Sequence, residues 1–413
     1  MTVDTWQRSL RSEGWARLEP QLAATRARGE MMSKYETEGR HSLVPYGIDR
    51  FSPYADVEGR RYLMMSGYSY LGLSGDERVV AAAKAAVDRY GTGTHGVRVL
   101  AGSLPLHTEL EAAVARAAGR PDAMVFGSGY AANAGTISAI LGPRDTVFVD
   151  KADHASILDG CRISRATTVR FRHNDADDLD RRLRNEAGDG VRLVVVDSVY
   201  SMDGDVAPLP ALREVCDRHG ALLMVDEAHA FGVIGRTGKG IEDHFDHAAF
   251  VDIKMGTLSK AIPSVGGWVA ASEELIQHLR YHARPFLFSA ALPPAQIGAA
   301  IEALRILEAE PERVTHIQTQ AARLRKALND AGVSTGHSET AVVPLIAGAD
   351  DRACELASAC RREGVIALPV LPPAVARGTA RLRLAITARH SEEDIGIAIK
   401  SFLAAGRACG LVS

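Results

Sequence analysis

From about residue 105 to 290 the chain repeats one pattern: an apolar run, a loop rich in small or polar residues, and a helical stretch. The runs include "AMVF", "DTVFVD", "VRLVVVD" and "ALLMVD". Each holds at least three consecutive apolar residues rather than an alternation, so its centre has no face to give to water. Four or more such strands alternating with helices indicate an α/β fold with a largely parallel sheet covered on both faces.

Outside this core the pattern changes. "DERVVAAAKAAVDRYG" predicts a helix stopped by Gly91. Beyond about residue 290, "PPAQIGAAIEALRILEAEPERVTHIQTQAARLRKALNDAG" predicts long helices. "AVVPLIAG", "VIALPVLPP" and "ARLRLAIT" predict the strands of a smaller antiparallel sheet. The polar, basic start with spaced Ala and Leu predicts a helical arm. The expected division is an arm over 1–50, a large domain over 51–290 and a C-terminal domain over 291–413.

The charge balance, 48 basic against 51 acidic side chains, gives no reason to expect nucleic acid or an anionic membrane as the main partner. No apolar run approaches the ~20 residues of a membrane span. The first residues lack the apolar centre of a signal peptide, so the expectation is a cytoplasmic protein. Cys161, Cys216, Cys354, Cys360 and Cys409 form no CxxC pair, which predicts idle thiols and no metal site.

In open α/β sheets, ligands sit beyond the carboxyl ends of the strands. After "AMVF", Gly127, Ser128, Gly129 and Tyr130 open a helix. Its free N–H groups suit a phosphate, though the same turn also serves as a plain strand–helix joint. After "DTVFVD" comes His154. After "VRLVVV" come Asp197, Ser198, Ser201, Asp203 and Asp205. After "ALLMV" comes Asp226, then His229. In "GTLSKAIPSVGG", Thr257 precedes Lys260. Taken singly, each has an ordinary structural explanation.

Together they describe one site: a phosphate-binding helix start, an imidazole, a buried carboxylate and a lysine. That set fits pyridoxal 5'-phosphate (PLP). A lysine of lowered pKa can form a Schiff base with the cofactor aldehyde. A carboxylate keeps the pyridine nitrogen protonated, so the ring draws electrons. An imidazole can stack on the ring or bond its phenolic oxygen. A bare Asp226–Lys260 ion pair would explain neither the histidines nor the glycines.

The motifs "SYLGLSG", "SGYAAN", "DHASILDG", "VYSMDGD", "VDEAHAFGVIGRTGKG", "GTLSKA", "ALPP" and "ARLRLAIT" run in order from about Ser52 to the C-terminus. In them the chain resembles the α-oxoamine synthases, a fold-type-I PLP transferase family. Its members include 8-amino-7-oxononanoate synthase, 2-amino-3-ketobutyrate CoA ligase, 5-aminolevulinate synthase and serine palmitoyltransferase. "FRHND", "VDIKMGTLSKA" and "EPERV" also resemble natural-product pathway relatives. The resemblance implies a seven-stranded, mainly parallel sheet and a smaller α/β C-terminal domain. It also implies a PLP-dependent C-acyltransferase, which condenses an amino acid with an acyl thioester, on CoA or an acyl carrier protein. Loss of CO2 then yields an α-amino ketone.

Position by position, the resemblance implies that Lys260 holds the cofactor and removes the substrate α-proton. Asp226 pairs with the pyridine nitrogen, and His154 stacks on the ring. His229 and Ser201 face the phenolic oxygen. The backbone of Gly129 and Tyr130 and the Thr257 hydroxyl hold the phosphate. Ser289 reaches the phosphate in the partner of a homodimer. Three positions depart from the family pattern: Ser69 stands where an asparagine is frequent, Leu371 where some members have an arginine, and His95 where small hydroxyl residues are common. Arg383 is therefore the expected partner of the substrate carboxylate, helped by Ser69, with Arg381 structural. His95 either lines the acyl entrance or caps a turn. Two other readings stand beside this one. Another fold-type-I enzyme, such as an aminotransferase, would need the same Lys260 and Asp226. A non-catalytic partner subunit would be expected to lose the lysine.

Overall fold

The computed structural model describes residues 15–23, 25–26, 47–49, 52–186 and 188–411. Of the expected N-terminal arm, residues 15–23 are helical, and most of the remainder lies outside the described residues.

The strands are β1 (Gly47–Ile48), β2 (Tyr54–Val57), β3 (Arg60–Met64), β4 (Asp122–Phe126), β5 (Thr146–Asp150), β6 (Thr167–Phe171) and β7 (Arg192–Asp197). After them come β8 (Leu222–Asp226), β9 (Ile253–Thr257), β10 (Gly267–Ala271), β11 (Val342–Gly348), β12 (Val365–Ile366), β13 (Pro369–Val370) and β14 (Ala380–Ala385). Seven of them form the main sheet, in the order β4-β10-β9-β8-β7-β5-β6. β5 to β9 run parallel, whereas β10 is antiparallel to both β9 and β4. The apolar runs are buried because helices cover both faces: Val194, Val196, Leu223 and Val225 pack on one side, and Leu193, Val195 and Met224 on the other.

The predicted helix after Asp76 spans Glu77–Tyr90, with the Asp76 side chain accepting the Arg78 N–H and Gly91 ending it at φ 77°. The long helices past residue 290 are Pro294–Ala309 and Glu312–Asp330. β11, β14 and β13 form a three-stranded antiparallel sheet.

One expectation is corrected. "VIALPVLPP" is not one strand, because Val365–Ile366 and Pro369–Val370 join different sheets. β12 runs parallel to β3, in a sheet ordered β1-β2-β3-β12. The expected boundaries at 50 and 290 therefore cut across a sheet that pairs the N-terminal hairpin with a C-terminal strand. The pairing continues beyond the strands, with Met65 N–H donating to the Ile366 carbonyl and Ala385 N–H to the Met65 carbonyl.

Candidate active site

The parallel strands end together, so their last residues converge. β8 ends in Asp226 and β9 in Thr257, and the loop from β9 to β10 carries Lys260. β5 is followed by His154, which caps the helix Ala155–Ser164 through its ring: Nδ1 accepts the Ser156 N–H. β4 is followed by Ser128, whose hydroxyl accepts the Ala131 N–H and caps the helix Gly129–Ile140. A cavity of about 240 Å³ lies between these ends. Its wall includes Gly129, Tyr130, His154, Ser201, Asp226, His229, Thr257 and Lys260. Of the residues expected at the cofactor, Ser289 is the exception: it is exposed and lines no part of this cavity.

The electrostatics follow from burial. Lys260 Nζ lies 2.9 Å from His229 Nε2. Burial pushes the Lys260 amine down to about 8, while Asp226 and Asp197 pull it back and Arg383 reinforces the fall. Burial also holds His229 well below the ordinary imidazole range, with the Lys260 and Arg383 charges acting the same way. The neutral ring has a definite hydrogen placement. Arg383 Nη2 lies 3.1 Å from the Tyr70 hydroxyl and 3.4 Å from His229 Nδ1, and the Tyr70 hydroxyl is 2.8 Å from the same Nδ1. A guanidinium only donates, so Nδ1 accepts, and when the Lys260 amine is uncharged Nε2 carries the hydrogen toward its lone pair.

Asp226 is held from two sides. Asn133 Nδ2 donates to Oδ2 at 2.7 Å, and the Ala228 N–H donates to Oδ1 at 2.8 Å. Asp197 sits opposite Asp226 in the β7–β8 register, and its Oδ2 accepts the His154 N–H at 3.1 Å. Burial first, and the Asp226 charge second, push the Asp197 carboxyl well above the ordinary range. Burial lowers the His154 imidazole below its usual value.

The cavity fits PLP. The start of the helix Gly129–Ile140 faces it with backbone N–H groups, and a Cβ on Gly129 would stand 3.2 Å from Thr257 Oγ1. Close approach also requires the glycine at 267: a Cβ there would lie 2.5 Å from the Ser128 carbonyl and 2.7 Å from the Gly129 nitrogen. Thr257 Oγ1 and Ser259 Oγ, 2.7 Å apart, add hydroxyls to the same corner. Asn133 Oδ1 is buried without a protein partner. The donor set thus provides for a phosphate at one end, a protonated ring nitrogen at Asp226, and an aldehyde at Lys260.

The substrate-side expectations divide. Arg383 is buried beneath the cavity, where its Nε donates to the Ser201 carbonyl at 2.5 Å. Arg381 pairs with Asp203 at 2.5 Å and donates to the Met202 carbonyl. Ser69 bonds Ser74 and lines a neighbouring cavity instead. Leu371 packs against Ala347, Ala353 and Ala380. His95 is exposed at φ 61° and lines neither cavity. Sequence reasoning gave no role to Tyr70 or Asn133. Each stood inside a quoted motif, "SYLGLSG" and "SGYAAN", and that was the available signal.

The aminotransferase class I and II family model matches residues 61–402. The chain is 43% identical over 358 residues to 8-amino-7-oxononanoate synthase of Geobacter sulfurreducens, covering 86% of this chain and 92% of that protein. The chain is an α-oxoamine synthase. A second such relative, from Anaeromyxobacter dehalogenans, is 44% identical over 86% of this chain and 89% of its own length. Among solved structures, SPT with a PLP internal aldimine superposes with a TM-score of 0.90 at 34% identity, covering 96% of this chain and 99% of that one. Serine palmitoyltransferase of Sphingomonas wittichii superposes with a TM-score of 0.89 at 35% identity, with the same coverage. This α-oxoamine synthase has the fold-type-I transferase fold, uses PLP, and is an acyltransferase of decarboxylative condensation. Among the described residues, no helix is long and apolar enough to cross a membrane.

Proposed function

We propose that Lys260, His229, Asp226 and His154 carry the condensation, with Arg383 placing the amino acid and Ser201 beside the cofactor's phenolic oxygen. The observation that supports this most directly is the Lys260–His229 contact of 2.9 Å, within a cavity that also holds Asp226 and His154. PLP bound there would supply a covalent anchor for the amino acid nitrogen and a sink for charge at its α-carbon. Gly129, Tyr130 and Thr257 would hold its phosphate. Asp226, braced by Asn133, would keep a proton on the ring nitrogen. The Lys260 amine, mostly uncharged above about pH 8, is the base for the α-proton. His229 Nε2–H orients its lone pair. His154 has Nδ1 occupied by Ser156, so its Nε2–H is directed elsewhere and can hold the substrate carboxylate. The net reaction joins the amino acid α-carbon to the acyl carbon, releases the thiol, and replaces the carboxylate with a proton.

Glycine, alanine and serine are the first amino acids to try. The acyl carrier is CoA or an acyl carrier protein. We further assign the enzyme to the cytoplasm, as a homodimer in which Ser289 serves the partner's phosphate. The division into a large unit over 51–290 and a smaller one over 291–413 belongs to the same reading, with the N-terminal hairpin attached to the smaller unit by β12. Spectral titration of the holoenzyme with single amino acids tests the donor, and thiol release from acyl-CoA tests the reaction. Keto-acid formation without thiol release would instead identify an aminotransferase. Light scattering tests the dimer.

A further inference from the structure

At the β6 edge of the main sheet lies a buried charge cluster to which the condensation gives no role. Asp150 ends β5, Asp205 lies in the loop after β7, and both are buried. The imidazole of His173, two residues past β6, stands between them. Its Nδ1 is 3.0 Å from Asp150 Oδ1, and its Nε2 is 2.7 Å from Asp205 Oδ2. A ring that serves two carboxylates donates from both nitrogens, so it is the imidazolium. Burial acts to lower its pKa, but the two carboxylates outweigh burial and raise it to about 10. Asn174, at φ 53°, reinforces the link: its N–H donates to Asp150 Oδ2 at 2.8 Å and its Nδ2 to Asp205 Oδ2 at 2.9 Å.

Each carboxylate governs a loop that reaches the cofactor cavity. Asp150 Oδ1 also accepts the Ala152 N–H at 2.8 Å, and Asp153 Oδ2 accepts the Asp150 N–H at 2.9 Å. These bonds close the turn that delivers His154 to the cavity wall. Asp205 closes a hairpin: its carbonyl accepts the Tyr200 N–H at 3.1 Å, and Val199 pairs with Val206. Ser201 sits in that hairpin and on the same cavity wall. Arg383 holds the hairpin at the Ser201 carbonyl, whereas His173 and Asn174 hold it at Asp205, whose Oδ1 has no partner among the described residues. The His173 and Tyr200 rings meet edge to face with centroids 4.4 Å apart, so the ring also packs on the hairpin it binds. His173 itself lines no part of this cavity.

We propose that His173 is a positioning residue for the condensation: by tying Asp150 to Asp205 it sets His154 and Ser201 relative to each other on the cavity wall. The proposal rests on the condensation reading above, which puts both of those residues beside the cofactor. His173 acts through the groups it places, so its loss falls on the amino acid and PLP rather than on the acyl donor. A small displacement of positioned groups is enough to slow the chemistry.

In the holoenzyme, His173→Ala is expected to lower kcat about tenfold or more. The amino acid dissociation constant, read from the cofactor absorbance, should rise about tenfold, with KM for acyl-CoA within about twofold of the parent. The apoprotein should bind PLP about three- to tenfold more weakly by fluorescence titration. His173→Gln, which keeps one donor, should recover part of each loss. Asp205→Asn should reproduce the losses, and adding it to His173→Ala should cost little more, because both break one link. Parent-like kcat and parent-like amino acid and PLP binding, in a variant with the native circular dichroism spectrum, would overturn the proposal, whatever happens to its melting temperature. A loss spread equally over KM for acyl-CoA would overturn it as well. If His173→Ala does not fold, His173→Gln and Asp205→Asn take the same measurements and the same results decide. If the parent releases no thiol with glycine, alanine or serine, the condensation reading fails. The amino acid and PLP constants of parent and variants then still decide the role of His173.

Discussion

Lys260 has its chemical character because of what surrounds it. The loop from β9 buries its amine, and the nearby Arg383 charge opposes its own. Lys260→Ala is expected to lose covalent cofactor attachment, with turnover falling at least about a hundredfold. The check is whether borohydride still fixes cofactor to the variant, and a retained covalent label would reassign the lysine. The lowered pKa also sets a pH dependence. Between about 8, its folded value, and 10.5, its ordinary one, the unfolded chain binds more protons, so this group makes apoprotein stability rise with pH. Below that window the folded state bears the full penalty of a buried charge. Lys260→Met should therefore stabilise the apoprotein most at neutral pH, with an advantage that shrinks as pH climbs through the window. Urea titrations of parent and variant across it measure the trend, and a constant difference would contradict it.

At the scale of elements, strand ends and helix starts build the site. β8 is legible because its apolar run stops at Asp226, and a carboxylate can end a buried strand only beside partners that satisfy it. β12 and β13 were not legible, because a pair of residues carries no periodicity and neighbouring backbone alone assigns each to its sheet. β10 matters through its first residue, since Gly267 lets the strand pass against Ser128 and Gly129. Gly267→Ala should push the helix start out of place and weaken PLP binding about tenfold or more, with the circular dichroism spectrum kept. Fluorescence titration of the apoprotein with PLP measures the change, and unchanged affinity would mean the phosphate is held elsewhere.

Across the whole molecule, the N-terminal hairpin is stitched to the C-terminal strands by the Leu63, Met65 and Ala385 amides. One apolar cluster runs from Leu63 and Tyr70 through Val225 and Trp268 to Leu384 and Phe402. A core shared in this way should unfold as a unit. Calorimetry of the apoprotein is expected to show a single transition, and Leu63→Ala, which empties a fully buried position, should lower it as a whole at a cost of about 2–5 kcal/mol. Two separable transitions, only one of them shifted, would show that the units fold independently.

The sequence by itself determined the sheet class and the places of His154, Asp226, His229, Thr257 and Lys260. Apolar runs and the polar residues that end them are local signals, and parallel strands bring those ends to one edge. Only the tertiary structure decided what holds these residues. Asn133 reaches Asp226 across 93 positions, Tyr70 reaches His229 across 159, and Arg383 reaches Tyr70 across 313. Contacts made across such distances leave no spacing in the chain, because the path between the partners is set by packing rather than by the period of any helix or strand.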